Sequence, residues 1–131
     1  MGNLISHMVA SQFEVKDVTA FEKELEQYGF EDLEMYNDPG TNRMSLYGAD
    51  FLSATKVDDE EGETVDIVPV LQKHLVPGEH ILVNAIYQEK HRYLAGESHL
   101  ITPNRILSVN AEAELRKQIK QTMPDIVLNE E

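Results

Sequence analysis

Apolar residues recur with a helical period early in the chain. Segment 17–29 places four of them about 3.6 residues apart: Val18, Phe21, Leu25 and Tyr28. Thr19 followed by Glu22 is a capping-box pattern, and Gly29 is a residue type that ends helices. This segment is predicted to form a helix.

The pattern then changes to the short apolar runs of strands. Runs at 33–36 and from residue 44 onward flank the turn sequence Asn-Asp-Pro-Gly at 37–40, which predicts a hairpin. The second strand is predicted to continue to about residue 57, with Gly48 as a bend or bulge. Residues 64–67 are predicted to form a short third strand.

Elements of the same kinds follow in the second half. Asp66 and Pro69 are residue types that begin helices, and the apolar pattern extends this helix to Leu75. Strands are predicted at 81–87, 92–102 and 105–109. Asn110 is a good N-cap for a last helix at 111–123, before a tail at 125–131 that is expected to fray. The apolar stripe of that helix consists of Leu115, Ile119 and Met123.

The two halves therefore have the same order of elements. Two long strands superpose with their glycines in register, because Leu46, Gly48 and Leu52 lie 48 residues before Leu94, Gly96 and Leu100. We predict a tandem α-β-β-β duplication followed by a C-terminal helix. Residues 1–131 are predicted to form a single α+β domain with a mainly antiparallel sheet.

Period-two alternation divides each long strand into two faces. The leucine faces, with Leu46 and Leu52 in one strand and Leu94 and Leu100 in the other, are predicted to face the core. The opposite faces hold Tyr47, Phe51, Tyr93 and His99. They are either a second packed layer or an open aromatic face for a ligand or partner.

Composition narrows the classes of function. The 131 residues, 41% of them hydrophobic, suffice for one buried core, and the lack of cysteine excludes disulfides and thiol chemistry. A net charge of −13 disfavours contact with phosphate backbones, so no direct nucleic-acid binding is predicted. No apolar stretch reaches the length of a membrane span.

The negative charge is concentrated in one half. Residues 1–66 contain 16 acids and 4 bases, net −12, whereas residues 67–131 contain 8 acids and 7 bases, net −1. The acids cluster as Glu31, Asp32 and Glu34, and as Asp58, Asp59, Glu60, Glu61 and Glu63. Such runs are either solvated loops or a recognition surface for something basic.

Candidate chemistry is sparse. Glu97 and His99 lie two apart on a predicted strand, on the face with Tyr93, and such a pair supplies two metal ligands or an oriented imidazole. A metal site needs a further ligand that the spacing does not supply. The glycine at 62 is misplaced for a calcium-binding loop, and phosphate-binding loops and serine nucleophile elbows are absent. We predict no metal and no cofactor.

The amino terminus supports two interpretations. Met1 to Ser6 matches the short N-myristoylation pattern at Gly2, although an acidic half repels anionic lipid. His7-Met8 is also what a cloning junction leaves, in which case residues 1–7 are non-native or flexible. With no secretory signal in view, a cytoplasmic protein is predicted.

Three functions are consistent with these patterns. The first and favoured one is a non-enzymatic acidic protein that binds a basic protein surface, of the inhibitor, immunity-protein or nucleic-acid-mimic type. The second is a small-molecule or metal-dependent enzyme that uses the face with Tyr93, Glu97 and His99. The third is a structural or assembly module that self-associates through an edge strand or the C-terminal helix.

Overall fold

The computed structural model describes residues 4–57, 62–89 and 93–127. The strands in these residues are β1 (Leu4–Ala10), β2 (Phe13–Glu14), β3 (Tyr28–Gly29), β4 (Leu33–Asn37), β5 (Arg43–Gly48), β6 (Ser53–Lys56), β7 (Thr64–Asp66), β8 (Ile81–Glu89), β9 (Tyr93–Ile101) and β10 (Ile106–Asn110). The helices are α1 (Val18–Leu25), α2 (Val68–His74) and α3 (Ala111–Thr122). This confirms the predicted single-domain α+β fold with an antiparallel sheet.

The larger sheet has the spatial order β10-β9-β8-β1-β5-β4, with all neighbours antiparallel. β2 pairs with β5 on the same side as β1 does. Met8 pairs with Gly48 but Phe13 with Met44, so five steps along one strand oppose four along the other, as at a β-bulge. β1 lies inside the sheet, and its residues 4–7, discussed above as non-native or flexible, pair with residues 86–89 of β8.

One face of this sheet is buried. Met8, Leu46 and Val83 from the sheet share a core with Phe21 of α1 and Leu71 of α2. The smaller sheet, β3-β6-β7, adds Ala54 to the same core. The rings of Phe13 and Phe21 meet edge to face at 5.9 Å. Burying large apolar side chains such as these is the main favourable term in folding.

The first helix is confirmed, but its ends differ from the prediction. Asp17 rather than Thr19 caps it, because the Asp17 Oδ1 atom accepts a hydrogen bond from the Ala20 N–H at 3.1 Å. The helix ends at Leu25, and Gly29 is not its stop signal. Gly29 instead pairs with Thr55 in the smaller sheet.

Asn110 caps α3 as predicted, whereas the N-cap of α2 is Ile67 and Asp66 lies one residue before it. Asp66 Oδ1 accepts from the Val68 N–H, and Asn110 Oδ1 accepts from the Ala113 N–H, each at 3.0 Å. The apolar stripe of α3 is largely exposed: Leu115 is 57% exposed and Met123 is 53% exposed. The helix lies over β9 and β10 on the face opposite the core, where Ala111 and Glu114 line a hollow with Gly96 and Ser98.

The prediction of one long strand from residue 44 to about residue 57 is wrong. β5 ends at Gly48, and β6 belongs to the smaller sheet. The chain turns away here because the carbonyl oxygen of Asp32 lies against Gly48 and accepts the Ala49 N–H at 3.1 Å. The duplication stays a prediction, although the strands that it superposes differ, since β9 runs unbroken through Gly96.

The leucine face is the core face in β5 but not in β9. Met44 and Leu46 are buried, as predicted. Leu94, in contrast, is 74% exposed, whereas Ile101 is fully buried. The register with β8 decides this, because it places Ile101 opposite the buried Ile81.

Candidate protein-binding surface

The second face of the larger sheet is open and apolar. Strand pairing and alternation place eight hydrophobic residues on it, each at least 40% exposed, and we call them the open sheet face: Val9, Tyr36, Tyr47, Leu82, Ile86, Leu94, Leu107 and Val109. Soluble monomers rarely expose contiguous apolar patches larger than a few hundred Å², so such a face indicates an interaction site.

Charged side chains are nearly absent from this face. By alternation, Glu14 of β2, Glu34 of β4 and Arg43 of β5 lie on it. The described positions of β1, β8, β9 and β10 on the same side contain no Asp, Glu, Lys or Arg. In a chain with 24 acidic residues, this uncharged centre resembles the cores of protein interfaces, where charged residues are depleted.

A concave region lies on the β4 side of the open sheet face. It is a depression of about 650 Å³ lined by Val9, Tyr36, Tyr47 and Glu34, among others. Its walls are mainly apolar side chains, with the Glu34 carboxylate at one side. Apolar hollows with a few placed polar groups are the typical form of binding pockets.

Glu34 lines this depression, and Asp32 lies close enough to Tyr47 to affect its pKa. Glu31 comes just before them in the chain and lines a different depression, beside the smaller sheet. We call Glu31, Asp32 and Glu34 the acidic margin. All three are exposed. The Tyr47 hydroxyl donates a hydrogen bond to Glu34, which raises the pKa of Tyr47, and the charges of Glu34 and Asp32 raise it further because they disfavour the phenolate. The structure thus places two members of the first predicted acidic group, Asp32 and Glu34, beside an aromatic side chain of the open sheet face.

The second predicted acidic group is only partly described. Asp58, Asp59, Glu60 and Glu61 lie outside the described residues. Glu63 is exposed immediately before β7. Near it, Glu31 and Asp50 line a shallow depression with Thr64.

Several other acids of the first half have structural partners. Asp50 accepts hydrogen bonds from the Leu52 N–H and the Ser53 hydroxyl. Glu24 bonds His74 at 2.7 Å and Lys73 at 3.0 Å. Some acids of the first half therefore stabilise turns and helix contacts, and others remain candidates for recognition.

On the predicted ligand face with Glu97, His99 contacts a residue that the sequence did not indicate. His99 Nδ1 lies 2.7 Å from the Ser108 hydroxyl, and His99 Nε2 lies 3.6 Å from a Glu97 oxygen. Ser108 stands directly opposite His99 across β9 and β10, a pairing that only strand register could reveal. The Tyr93 side chain lies outside the described part, and no described group of three or more His, Asp or Glu side chains could hold a metal ion.

Helix α3 borders the opposite end of the open sheet face. A Cβ atom added at Gly96 would stand 3.8 Å from the Ala111 Cβ, so the helix begins above β9. A groove on α3 is lined by Arg116, Lys117 and Lys120. The open sheet face thus has acids beside β4 at one end and α3, with three bases and two acids, at the other.

Comparison with known proteins finds no relative: no family model matches the chain, and no curated protein or solved structure matches it. Of the helices described, none has the length and apolar character needed to cross a membrane.

Proposed function

We propose that this is a non-enzymatic binding protein that engages a partner with an apolar centre and a basic margin. One observation supports this above the others: an apolar sheet face with an uncharged centre and with the Asp32 and Glu34 carboxylates at one end, where Glu31 precedes them in the chain. Apolar burial supplies affinity in such interfaces, while opposite charges at the rim steer the encounter and fix the register. Inhibitors, immunity proteins and nucleic-acid mimics work in this way when carboxylates stand where phosphates would.

The test uses a lysine-rich amphipathic helical peptide as the probe, with its affinity followed by fluorescence anisotropy. Replacing the acidic margin by Glu31→Gln, Asp32→Asn and Glu34→Gln should weaken binding about tenfold, since a few rim charges typically contribute about 1 kcal/mol. The matched control removes three acids elsewhere by Glu22→Gln, Glu26→Gln and Asp125→Asn, and it should bind almost as the parent does.

Salt provides the second measurement. Affinity should fall between about 50 and 300 mM NaCl, because exposed charges are screened over this range. Equal affinity for the parent and both triple variants, or affinity independent of salt, would contradict the proposed function.

A second candidate function rests on the contact between Ser108 and His99. In a nucleophilic enzyme, Ser108 Oγ would attack the carbonyl carbon of an ester while His99 Nδ1 takes the hydroxyl proton, and Glu97 would stabilise the imidazolium. The bond from that carbon to the leaving alcohol would then break, and His99 would give its proton to the alcohol. Water would release the acyl group from Ser108 by the same route. A fluorophosphonate probe should then label the parent chain but not the Ser108→Ala variant. Absence of labelling in the parent would rule out this enzyme.

A further inference from the structure

The open sheet face is large enough for a stable protein interface. Its six strands lie about 4.8 Å apart and rise about 3.3 Å per residue, which gives a projected area of roughly 600 Å². Protruding side chains make the accessible area larger than this projection. A standard interface buries about 800 Å² per partner, so the face alone approaches the required size.

The charge of the chain restricts what can cover this face. Two copies with a net charge of −13 repel each other over most of their surfaces. The four adjacent strands β1, β8, β9 and β10 present no charged side chain among the described positions of this face. Helix α3 lies over part of β9 and β10, and its Glu114 lines a hollow with Ser98 and Val109 of this face. Away from α3, two copies can therefore approach without bringing like charges into contact.

The two ends of the face differ in charge, which favours one arrangement of the copies: the β4 end has the acidic margin, whereas α3 has three bases against two acids, Glu112 and Glu114. The acidic margin lies beside β4, and Lys117 and Lys120 lie on α3, next to β9 and β10. A two-fold axis parallel to the strands places the β4 end of one copy over the α3 end of the other. An axis across the strands would place acids against acids.

Helix α3 also has uncovered apolar surface at the same end. Leu115 is 57% exposed and Met123 is 53% exposed, and both belong to the apolar stripe of the helix. In the parallel-axis arrangement, this end of one copy comes over the depression with Tyr36 and Tyr47 of the other.

From this we infer that the partner of the open sheet face is a second copy of the chain, in a face-to-face dimer with its two-fold axis parallel to the strands. Each α3 then lies beside the acidic margin of the other copy. Such an interface is isologous, so every contact occurs twice. The inference rests on the proposed function, because it uses the same surface. It identifies the basic margin of the partner as α3 of a second copy.

Sedimentation velocity of the full chain from about 1 to 200 µM tests the dimer, since mass action must populate it as concentration rises. The expected species has twice the mass of the 14.9 kDa chain. Ile86→Lys, at a solvent-facing position in the centre of the face, should give a monomer throughout this range, because it would bury an unpaired charge. Val57→Lys changes an equally exposed side chain outside the open sheet face, and it should leave the dimer intact.

Charge reversal tests the axis. Glu34→Lys and Lys117→Glu should each weaken dimerisation by about fivefold, and the double variant should recover most of the loss. Circular dichroism of every variant establishes that it is folded. A monomer at the highest concentration, a dimer unaffected by Ile86→Lys, or a double variant without recovery would overturn the inference.

The peptide titration distinguishes the two proposals. A monomeric chain that binds the lysine-rich peptide through its acidic margin overturns the dimer and leaves the proposed function standing. A monomeric chain that does not bind the peptide overturns both.

Discussion

Gly48 and Gly96, which the sequence places at equivalent positions of a repeat, have different surroundings. A Cβ atom at Gly48 would overlap the Asp32 carbonyl oxygen and stand 2.9 Å from the carbonyl carbon. At Gly96 the nearest atom to such a Cβ is the Ala111 Cβ, at an ordinary contact distance of 3.8 Å. Only Gly48 therefore needs to be glycine for steric reasons.

Gly48→Ala should lower the free energy of unfolding by about 3 kcal/mol, because backbone must move to admit the methyl group. Gly96→Ala is the matched control and should change it by no more than about 0.5 kcal/mol, since alanine suits a strand at least as well as glycine. Urea denaturation measures both. Equal losses in the two variants would show that the approach of Asp32 is not the cause.

Glu24 and His74 form a contact between α1 and α2 next to the core. The hydrogen bond from His74 lowers the pKa of Glu24, burial opposes this, and Lys73 lowers it further. His74 is buried and its ring meets Phe21 at 5.4 Å, so its polar atoms have little access to water. An ionised Glu24 therefore stabilises the fold.

Glu24→Gln should reduce the free energy of unfolding by about 1–2 kcal/mol at neutral pH, the usual size for a hydrogen bond to a charged group. Because folding lowers this pKa, the stabilisation is complete above the ordinary value of 4.5 and is lost as pH falls through the lowered value. Denaturation measured between about pH 7 and pH 3 should show that the stability difference between the parent and Glu24→Gln becomes smaller as pH falls. Glu26→Gln, at the C-cap of the same helix, is the control. A stability difference between the parent and Glu24→Gln that stays constant with pH would contradict this assignment.

At the scale of elements, sequence patterns located the helices better than their ends. Thr19 and Glu22 satisfy the capping-box pattern, yet Asp17 occupies the cap with extended backbone at φ −153° and ψ 111°. Asp and Thr are both common N-cap residues. Which of the two begins the helix depends on where the chain turns after the β-bridge between Val15 and Leu75. That bridge is long-range and invisible in a local pattern.

Asp17→Ala should cost about 1 kcal/mol of stability, the typical loss of an N-cap side chain. Thr19→Ala should cost no more than about 0.5 kcal/mol, because the threonine is an exposed residue inside the helix. Thermal denaturation of the two variants compares them directly. A larger loss at Thr19 would restore the capping-box interpretation.

At the scale of the whole molecule, the amino-terminal strand lies inside the larger sheet. β1 has β8 on one side and β5 on the other, and all seven of its residues pair with β8. A chain that begins at Met8 loses the pairing of residues 4–7.

Starting the chain at Met8 should therefore reduce the free energy of unfolding by roughly 2–4 kcal/mol, from about four ladder hydrogen bonds at about 0.5–1 kcal/mol each. Chemical denaturation of the shortened and full chains measures the loss. An unchanged midpoint would mean that residues 1–7 contribute nothing to the fold, as expected of a cloning remnant.

The sequence by itself determined the α+β class, three helices and the hairpin at residues 33–48, because period, caps and turn residues are local signals. It also located the acidic margin. Tertiary structure alone decided that Leu94 is exposed, that the chain changes sheets at Gly48 and that Ser108 meets His99. A strand pattern shows that two faces differ, but only pairing with distant strands determines which of them is covered.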